Sequence, residues 1–544
     1  MYFREYNQTR FLIVDSNIKL RMIMEEYLKS YGAWFIDLAA DGVEAVEKCK
    51  NGIFDAVLCD YNLGSKNGQQ VLEELRHRKY LKHASLFIMM SADTTKDMVL
   101  GAIEYQPDAY ISKPITRDSL KQRLDSLLID SEALYDIKYA MDCDEIDEAI
   151  YLCEQKIRKR SKYSSWCHKT KASLFLQTQR YAEAKEVYNE VLQTRPLLWA
   201  KIGLAKVAIE EKQYSVAEPI LQDIIEHNPL CLIAYDLLTD ILIKTKRKKA
   251  AQETLFEAVA HSPRAIQRHV RLGELCLENQ DYEIATEAFR NATEHGEQSV
   301  YQNANNYLNF ARCLNETAVT VDESLKISRS EEALNAIGSA QKRFGEEDTV
   351  NFQSSMIKAR IHQNCSQSEQ AEQALNEAQD FYLTIAAELP PEMAMEYAQT
   401  LFTLDKESDA ELVLKQLSAL HPNNSELMKK IEALRDEPVS SQNRAKAAEL
   451  NKIGIQHVES GNHREAIAVF QDALNYSPKH PALNLNMTQV LMKLIPTEKD
   501  KTESIKLCQQ CLERVGHIKS EHKQFKRYEF LKGKLEQLLA VNTH

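Results

Sequence analysis

No apolar run in the 544-residue chain approaches ~20 residues, the length a membrane-spanning helix needs. The opening residues Met1-Tyr2-Phe3-Arg4-Glu5-Tyr6 contain no apolar core of a secretion signal. Neither membrane insertion nor export is therefore expected. A basic excess is missing too: the net charge is −12, which argues against a large nucleic-acid footprint, because phosphate binding needs a basic face. The one dense basic run, Lys244-Thr245-Lys246-Arg247-Lys248-Lys249, falls at a predicted helix–helix turn and reads as a solvated corner. Paired cysteine motifs are absent apart from Cys508 and Cys511, which lie in a helical pattern with no second Cys or His pair, so a zinc site is not expected. The eleven cysteines are scattered singly, as fits a reducing cytoplasm. No Ser/His/Asp set and no helix-turn-helix is recognisable.

What is present divides the chain in two. At 544 residues it exceeds a single core. Up to about residue 129, short apolar runs alternate with helical periodicity. Strands are predicted at Arg10 to Val14, Trp34 to Leu38, Ala56 to Cys59, Leu86 to Met90 and Ala109 to Ile111. Helices are predicted at Leu20 to Tyr31, Gly42 to Lys50, Val71 to Arg78, Lys96 to Tyr105 and Ser119 to Leu128. This alternation predicts an α/β doubly wound domain with a five-stranded parallel sheet. In such a sheet, ligands sit at the carboxyl ends of the strands. Asp15, Asp60, Ser91 and Lys113 each stand at or just after a strand end, so all four are expected on one rim. Carboxylates that hold Mg²⁺, with a hydroxyl and a lysine for phosphoryl oxygens, are the groups that phosphoryl transfer to an aspartate requires. Asp60 is the expected nucleophile.

Ile13-Val14-Asp15, Asp60, Gly68, Ser91-Ala92 and Tyr110-Ile111-Ser112-Lys113-Pro114 together resemble the receiver domain of two-component response regulators, over about residues 8–129. The resemblance implies a flavodoxin-like fold with Asp60 as phosphoacceptor and Asp15 in the acidic pocket. It implies metal coordination by the backbone carbonyl of Asn62, phosphate contacts by Ser91 and Lys113, and reorientation of Tyr110 with them. It also implies Mg²⁺ as cofactor and a sensor histidine kinase as phosphodonor. One departure stands out. The family usually carries two adjacent acidic residues where this chain has Asp15-Ser16, and the second is normally a metal ligand. Serine is a poorer ligand for a hard cation, so weaker Mg²⁺ binding is expected. Gly64 stands where the family often has proline.

After about Ile129 strand signals stop and prolines recur at a near-fixed interval, at Pro196, Pro229 and Pro263. Between them the residue classes repeat: Ala172, Phe175, Tyr181, Ala184, Tyr188; then Leu204, Ala205, Ala208, Tyr214, Ala217, Leu221. The set recurs at Leu272, Gly273, Cys276, Tyr282, Ala285, Phe289 and at Ile453, Gly454, His457, Ala466, Phe470, Ala473. This pattern is similar to the tetratricopeptide repeat, which implies an all-α superhelical solenoid that binds other proteins in its groove. The organisation expected is a receiver at 8–129 and a degenerate first repeat or connector at 130–164. Repeats follow at 165–298, divergent helical repeats at 299–440, and further repeats with a capping helix at 441–544. Asp436 to Asn443 reads as a loop or hinge, Ile495 to Glu503 as a loop insertion, and Glu521 to Leu539 as the closing helix. The layout resembles auxiliary response regulators of the VieB type. The function expected is a cytoplasmic signalling regulator, not an enzyme on outside substrates. It would be phosphorylated on Asp60 by a histidine kinase and would act through protein contacts, with another response regulator or other protein in the groove. The alternative is a pseudo-receiver scaffold that binds partners without phosphorylation.

Overall fold

The computed structural model describes residues 5–92, 106–319, 321–435, 441–497, 501–518 and 522–542. The expected strands and helices form within a residue or a few of their predicted bounds. They are β1 Arg10–Val14, α1 Ile18–Ser30, β2 Phe35–Ala39, α2 Gly42–Asn51, β3 Ala56–Asp60, α3 Gly68–His77, β4 Leu86–Ser91 and β5 Ala109–Ser112. The helix expected over Lys96 to Tyr105 lies outside the described residues. The five strands are all parallel, in the order β2-β1-β3-β4-β5. Side chains alternate across the pleat. Leu12, Val14, Val57, Cys59, Phe87 and Met89 pack with Val71, Leu72 and Leu75 of α3 on one face. Phe11, Ile13, Leu58, Ile88 and Met90 pack with Met24 and Leu28 of α1 on the other. Both faces of the sheet are covered, which is why its central strands read as continuous apolar runs rather than alternating ones.

The last helix of the α/β domain departs from expectation. It does not stop near Leu128 but runs unbroken from Arg117 to Asp142. No glycine or proline interrupts that stretch, and Thr116 with Ser119 caps its start. Leu120 and Leu124 at one end belong to the receiver core, whereas Leu134, Ile137 and Ala140 at the other belong to the core of the repeats. One helix is thus shared, and residues 129 and 130 lie within it.

Beyond it the chain continues as antiparallel helix pairs. Two compact units divide the whole chain, residues 1–344 and 345–544. In the first unit the pairs include Ser164–Gln177 with Tyr181–Thr194, Leu198–Glu210 with Tyr214–His227, Leu232–Lys244 with Lys248–His261, and Ile266–Glu278 with Tyr282–Gly296. Ala304–Ala318 and Glu323–Phe344 complete it. The turns within successive pairs place Gln179, Lys212, Lys246 and Gln280 in the left-handed region, 33, 34 and 34 residues apart. At each turn the next amide bonds back to the carbonyl five residues earlier, for example Gln213 to Ala208 at 2.7 Å and Arg247 to Leu242 at 2.8 Å. That bond satisfies a carbonyl orphaned at the helix end. Where helices cross, a missing side chain makes room for a ring: within a pair, a Cβ on Gly273 would stand 2.6 Å from the Phe289 ring, and between successive pairs one on Gly203 would stand 2.2 Å from that of Tyr188.

The second unit repeats this construction. A Cβ on Gly454 would stand 2.5 Å from the Phe470 ring. The rings of Phe352, Tyr382 and Tyr397 meet at tilted and edge-on angles in one of its cores. Ala371, Leu375 and Ala378 are buried on Ser368–Ile385, the second helix of a pair as expected. Of the loop expected over 436–443, residues 436–440 lie outside the described residues and a helix already begins at Ser441. The insertion expected after Ile495 opens with a single 3₁₀ turn, Ile495–Thr497, and the closing helix is Phe525–Asn542. Cys508 and Cys511 are buried among apolar side chains. Among the described residues no helix is long and apolar enough to cross a membrane.

Candidate functional site

Each rim residue is placed by the end of a strand. β3 runs into Asp60, its last residue, and pairs it with Met90 of β4. β1 ends at Val14, so Asp15 emerges beside it, tied by its amide to the Ala39 carbonyl at 3.2 Å. β4 ends on Ser91, whose carbonyl accepts the Lys113 amide at 2.7 Å just past β5. All four expected residues therefore converge. The Lys113 ammonium sits 2.8 Å from Asp15 Oδ2 and 2.9 Å from Asp60 Oδ1, bridging the two carboxylates. Asp15, Asp60 and Ser91 are buried, with exposures of 2, 6 and 0%.

Burial sets the electrostatics. It pushes the Asp60 carboxyl above its ordinary value, and the Lys113 ammonium pulls back only part of that shift. Burial works against the charged form of Lys113, but its hydrogen bonds to Asp15 and Asp60 outweigh it and leave the ammonium more basic than usual. The lysine is firmly cationic beside two carboxylates, an arrangement that receives an anionic group once one of its bonds is surrendered.

The oxygen donors named for a metal are also on this rim. Asp15 and Asp60 face one another across Lys113, and the Asn62 carbonyl follows two residues after Asp60. Oxygen donors suit a hard cation. Ser16 does not join them as a charged ligand: its hydroxyl donates to the Asn62 carbonyl at 3.3 Å. Among the described residues no group of three or more His, Cys, Asp or Glu is placed to hold a metal ion. The donor set fits Mg²⁺ in kind and falls one carboxylate short of the usual receiver complement.

Surrounding residues explain smaller features. Gly64 has φ +91°, a conformation closed to proline. Gly68 starts α3 against β3: a Cβ there would lie 2.4 Å from the Asp60 carbonyl oxygen, and its amide donates to the Tyr61 carbonyl at 2.8 Å. Tyr110 on β5 is half-buried against the β3–α3 core.

Two contacts near this rim have no sequence signal. Arg264, between the helices Lys248–His261 and Ile266–Glu278, donates to the Tyr61 hydroxyl at 3.1 Å. Gln70 Nε2 lies 3.2 Å from the His295 carbonyl and 3.1 Å from that of Glu297. Their partners lie some two hundred residues away, beyond any local pattern.

Comparison with known proteins matches residues 11–125 to the response regulator receiver domain and residues 170–196 to the tetratricopeptide repeat. Chemotaxis protein CheY-3 of Vibrio cholerae is 31% identical over 118 residues, covering 22% of this chain and 90% of CheY-3. CheY of Pseudomonas aeruginosa is 28% identical over 118 residues, 22% of this chain and 94% of that protein. Among solved structures, a CheY-like receiver domain protein from Methanospirillum hungatei is 25% identical, with a TM-score of 0.21, over 23% of this chain and 97% of that one.

Proposed function

The chain belongs, through residues 11–125, to the response regulator receiver family, and from this premise we propose that Asp60 accepts a phosphoryl group from a sensor histidine kinase. The observation that carries the reading is the bridge of Lys113 between the buried carboxylates of Asp15 and Asp60, with buried Ser91 on the neighbouring strand end. In the transfer, a carboxylate oxygen of Asp60 attacks the phosphorus of a phosphohistidine. The P–N bond breaks, and its electron pair stays on the imidazole nitrogen, which takes up a proton. Lys113 and Ser91 donate to the phosphoryl oxygens as negative charge gathers on them. A bound Mg²⁺ would supply further charge neutralisation, and Asp15, Asp60 and the Asn62 carbonyl are the groups that would hold it. Tyr110 turns with Ser91 as the site fills.

Output runs through protein contacts of the repeats, with another response regulator or other protein in the groove, rather than through DNA. The acidic balance supports this part of the reading. The scattered cysteines, none of them in a disulfide, support a cytoplasmic location. The only reaction assigned to the chain is its own phosphorylation and dephosphorylation.

A second reading, a receiver silenced in phosphorylation, draws on Ser16. Its hydroxyl occupies a lone pair of the Asn62 carbonyl and brings no charge to the pocket. Intact-protein mass after incubation with Mg²⁺ and acetyl phosphate separates the two. A phosphate adduct in the native chain, absent in Asp60→Ala, is expected. Ser16→Asp should reach the same occupancy at several-fold lower Mg²⁺. An adduct only in Ser16→Asp would favour the silenced receiver.

A further inference from the structure

The first unit closes on itself. Its receiver is joined to the repeats by the shared helix Arg117–Asp142, and the repeats return to touch the receiver again at the β3–α3 corner. The shared helix is fixed at its far end: the Asp142 carboxylate accepts the amides of His83 at 2.7 Å and Ala84 at 3.1 Å, in the turn before β4.

The returning contact is chemically specific. The helix Tyr282–Gly296 ends with carbonyls that have no partner within the helix. Gln70 supplies one from the receiver. Its Oε1 accepts the Asn67 amide at 3.0 Å as part of the α3 capping box, which fixes the side chain and points Nε2 outward at the His295 and Glu297 carbonyls. Arg264 adds a hydrogen bond to Tyr61, the residue next to the phosphoacceptor. His77, at the other end of α3, meets the edge of the Tyr301 ring at 5.6 Å between centroids. The contacts thus run from the β3–α3 loop to the far end of α3. They involve residues that the transfer chemistry does not use.

The corner they grip is mechanically part of the phosphorylation site. The Tyr61 amide is bonded to Met90 of β4, the residue before Ser91, and the Tyr61 carbonyl to Gly68 at the start of α3. A change at Asp60 reaches Arg264 through the next residue and Gln70 through one turn of helix.

We propose that the repeat edge around Arg264, His295 and Tyr301 is the receiver's own docking partner, and that filling the Asp60 site tightens this clasp. The coupling rests on the phosphorylation reading given above. Its sign follows from charge. A phosphoryl group adds about −1.5 to −2 at Asp60, beside a corner whose contact from the repeats includes the Arg264 guanidinium. Linkage makes the effect reciprocal: what tightens the clasp is itself bound more tightly when the clasp is shut.

Hydrogen exchange on the full chain tests this, with the helix Tyr181–Thr194 as a remote control. Mg²⁺ with beryllium fluoride serves as the non-covalent phosphoryl mimic, and acetyl phosphate serves in a parallel mass measurement. Exchange across 67–77 and 293–303 should slow by about fivefold or more when the site is filled, a typical lower bound for coupled sites. Arg264→Ala should raise exchange on both segments of the unfilled chain and weaken beryllium fluoride binding. Gln70→Met, which changes no charge and leaves Asn67 to cap α3, should do the same, so that loss of the clasp is separated from loss of a nearby cation. A filled site, shown by the acetyl phosphate adduct, with unchanged or faster exchange on both segments overturns the clasp coupling and leaves the phosphorylation reading standing. Absence of any adduct on the native chain overturns both.

Discussion

The receiver rim and the repeats bury their sequence-specific residues for opposite purposes. At the rim, burial gathers like charges: Asp15 and Asp60 share one cation, and burial holds Asp60 above its ordinary pKa. In the repeats, burial gathers apolar surface, and the signature pairs are a ring against a bare backbone, as at Phe289 and Gly273. The first arrangement gives up stability for a poised chemical group, and the second supplies it. The same degree of burial therefore has opposite consequences for substitution.

The largest expected effect lies in the repeats. Phe289→Ala removes a fully buried ring and leaves a cavity over Gly273, at a cost of about 3–5 kcal/mol, readable as a lowered urea midpoint. Asp60→Asn, at a site that is also buried, is expected to abolish the phosphate adduct while leaving the thermal midpoint unchanged or higher. The sign follows from linkage. A carboxyl whose folded pKa is raised contributes stability that is full below its unfolded value and lost as pH rises through the folded one, so the ionised form opposes folding and removing the charge relieves that. A midpoint lowered as far as that of Phe289→Ala would erase the contrast between the two regions.

How much of each region was legible in the sequence follows the same division. The rim could be read because parallel strands buried on both faces give continuous apolar runs, and their last residues must share an edge. Asp15, Asp60, Ser91 and Lys113 needed only that rule. The shared helix overruns the end expected at Leu128 because the change from strand to helical signals marks a change of core and not a break in the helix, and no glycine or proline stands between Arg117 and Asp142. In the repeats Gly273 and Gly454 declared themselves, but the turns did not. Their left-handed positions are filled by Gln179, Lys212, Lys246 and Gln280 rather than glycine. The clasp at Gln70 and Arg264 was invisible, since Gln70 shows locally only as a cap.

Acid offers an intermediate test, confined to the repeats. Burial lowers the pKa of His269, whose Nδ1 has no partner while its Nε2 donates to the Pro263 carbonyl at 2.8 Å. His295 and Glu287 face it. His295 is lowered as well, by burial and then by Arg264, with Glu294 opposing. Groups with depressed folded pKa values contribute fully above the unfolded value, about 6.5, and lose that contribution as pH falls through the folded values. Lowering the pH from about 7.5 to about 5.5 should therefore reduce hydrogen-exchange protection, taken relative to the intrinsic rate at each pH, around residues 263–301 before it affects β1 and β3. Simultaneous loss would place the weak point elsewhere.

The smallest effect sharpens the comparison from the turns. Lys212 is exposed at φ +60°, so Lys212→Gly relieves left-handed strain at the cost of a more flexible unfolded chain. The net change expected is a gain of under about 1 kcal/mol in the urea midpoint of the first unit. A loss would mean the side chain does more than cap a turn.

The proposed mechanism requires that Asp60 be the residue that carries phosphate. Borohydride reduction of the chain after treatment with Mg²⁺ and acetyl phosphate, followed by peptide mass mapping, reads this directly, because an aspartyl phosphate is reduced to homoserine. Homoserine at position 60 and at no other aspartate is the predicted result. Unmodified aspartate at position 60 in a chain whose Ser16→Asp variant is converted there would contradict it.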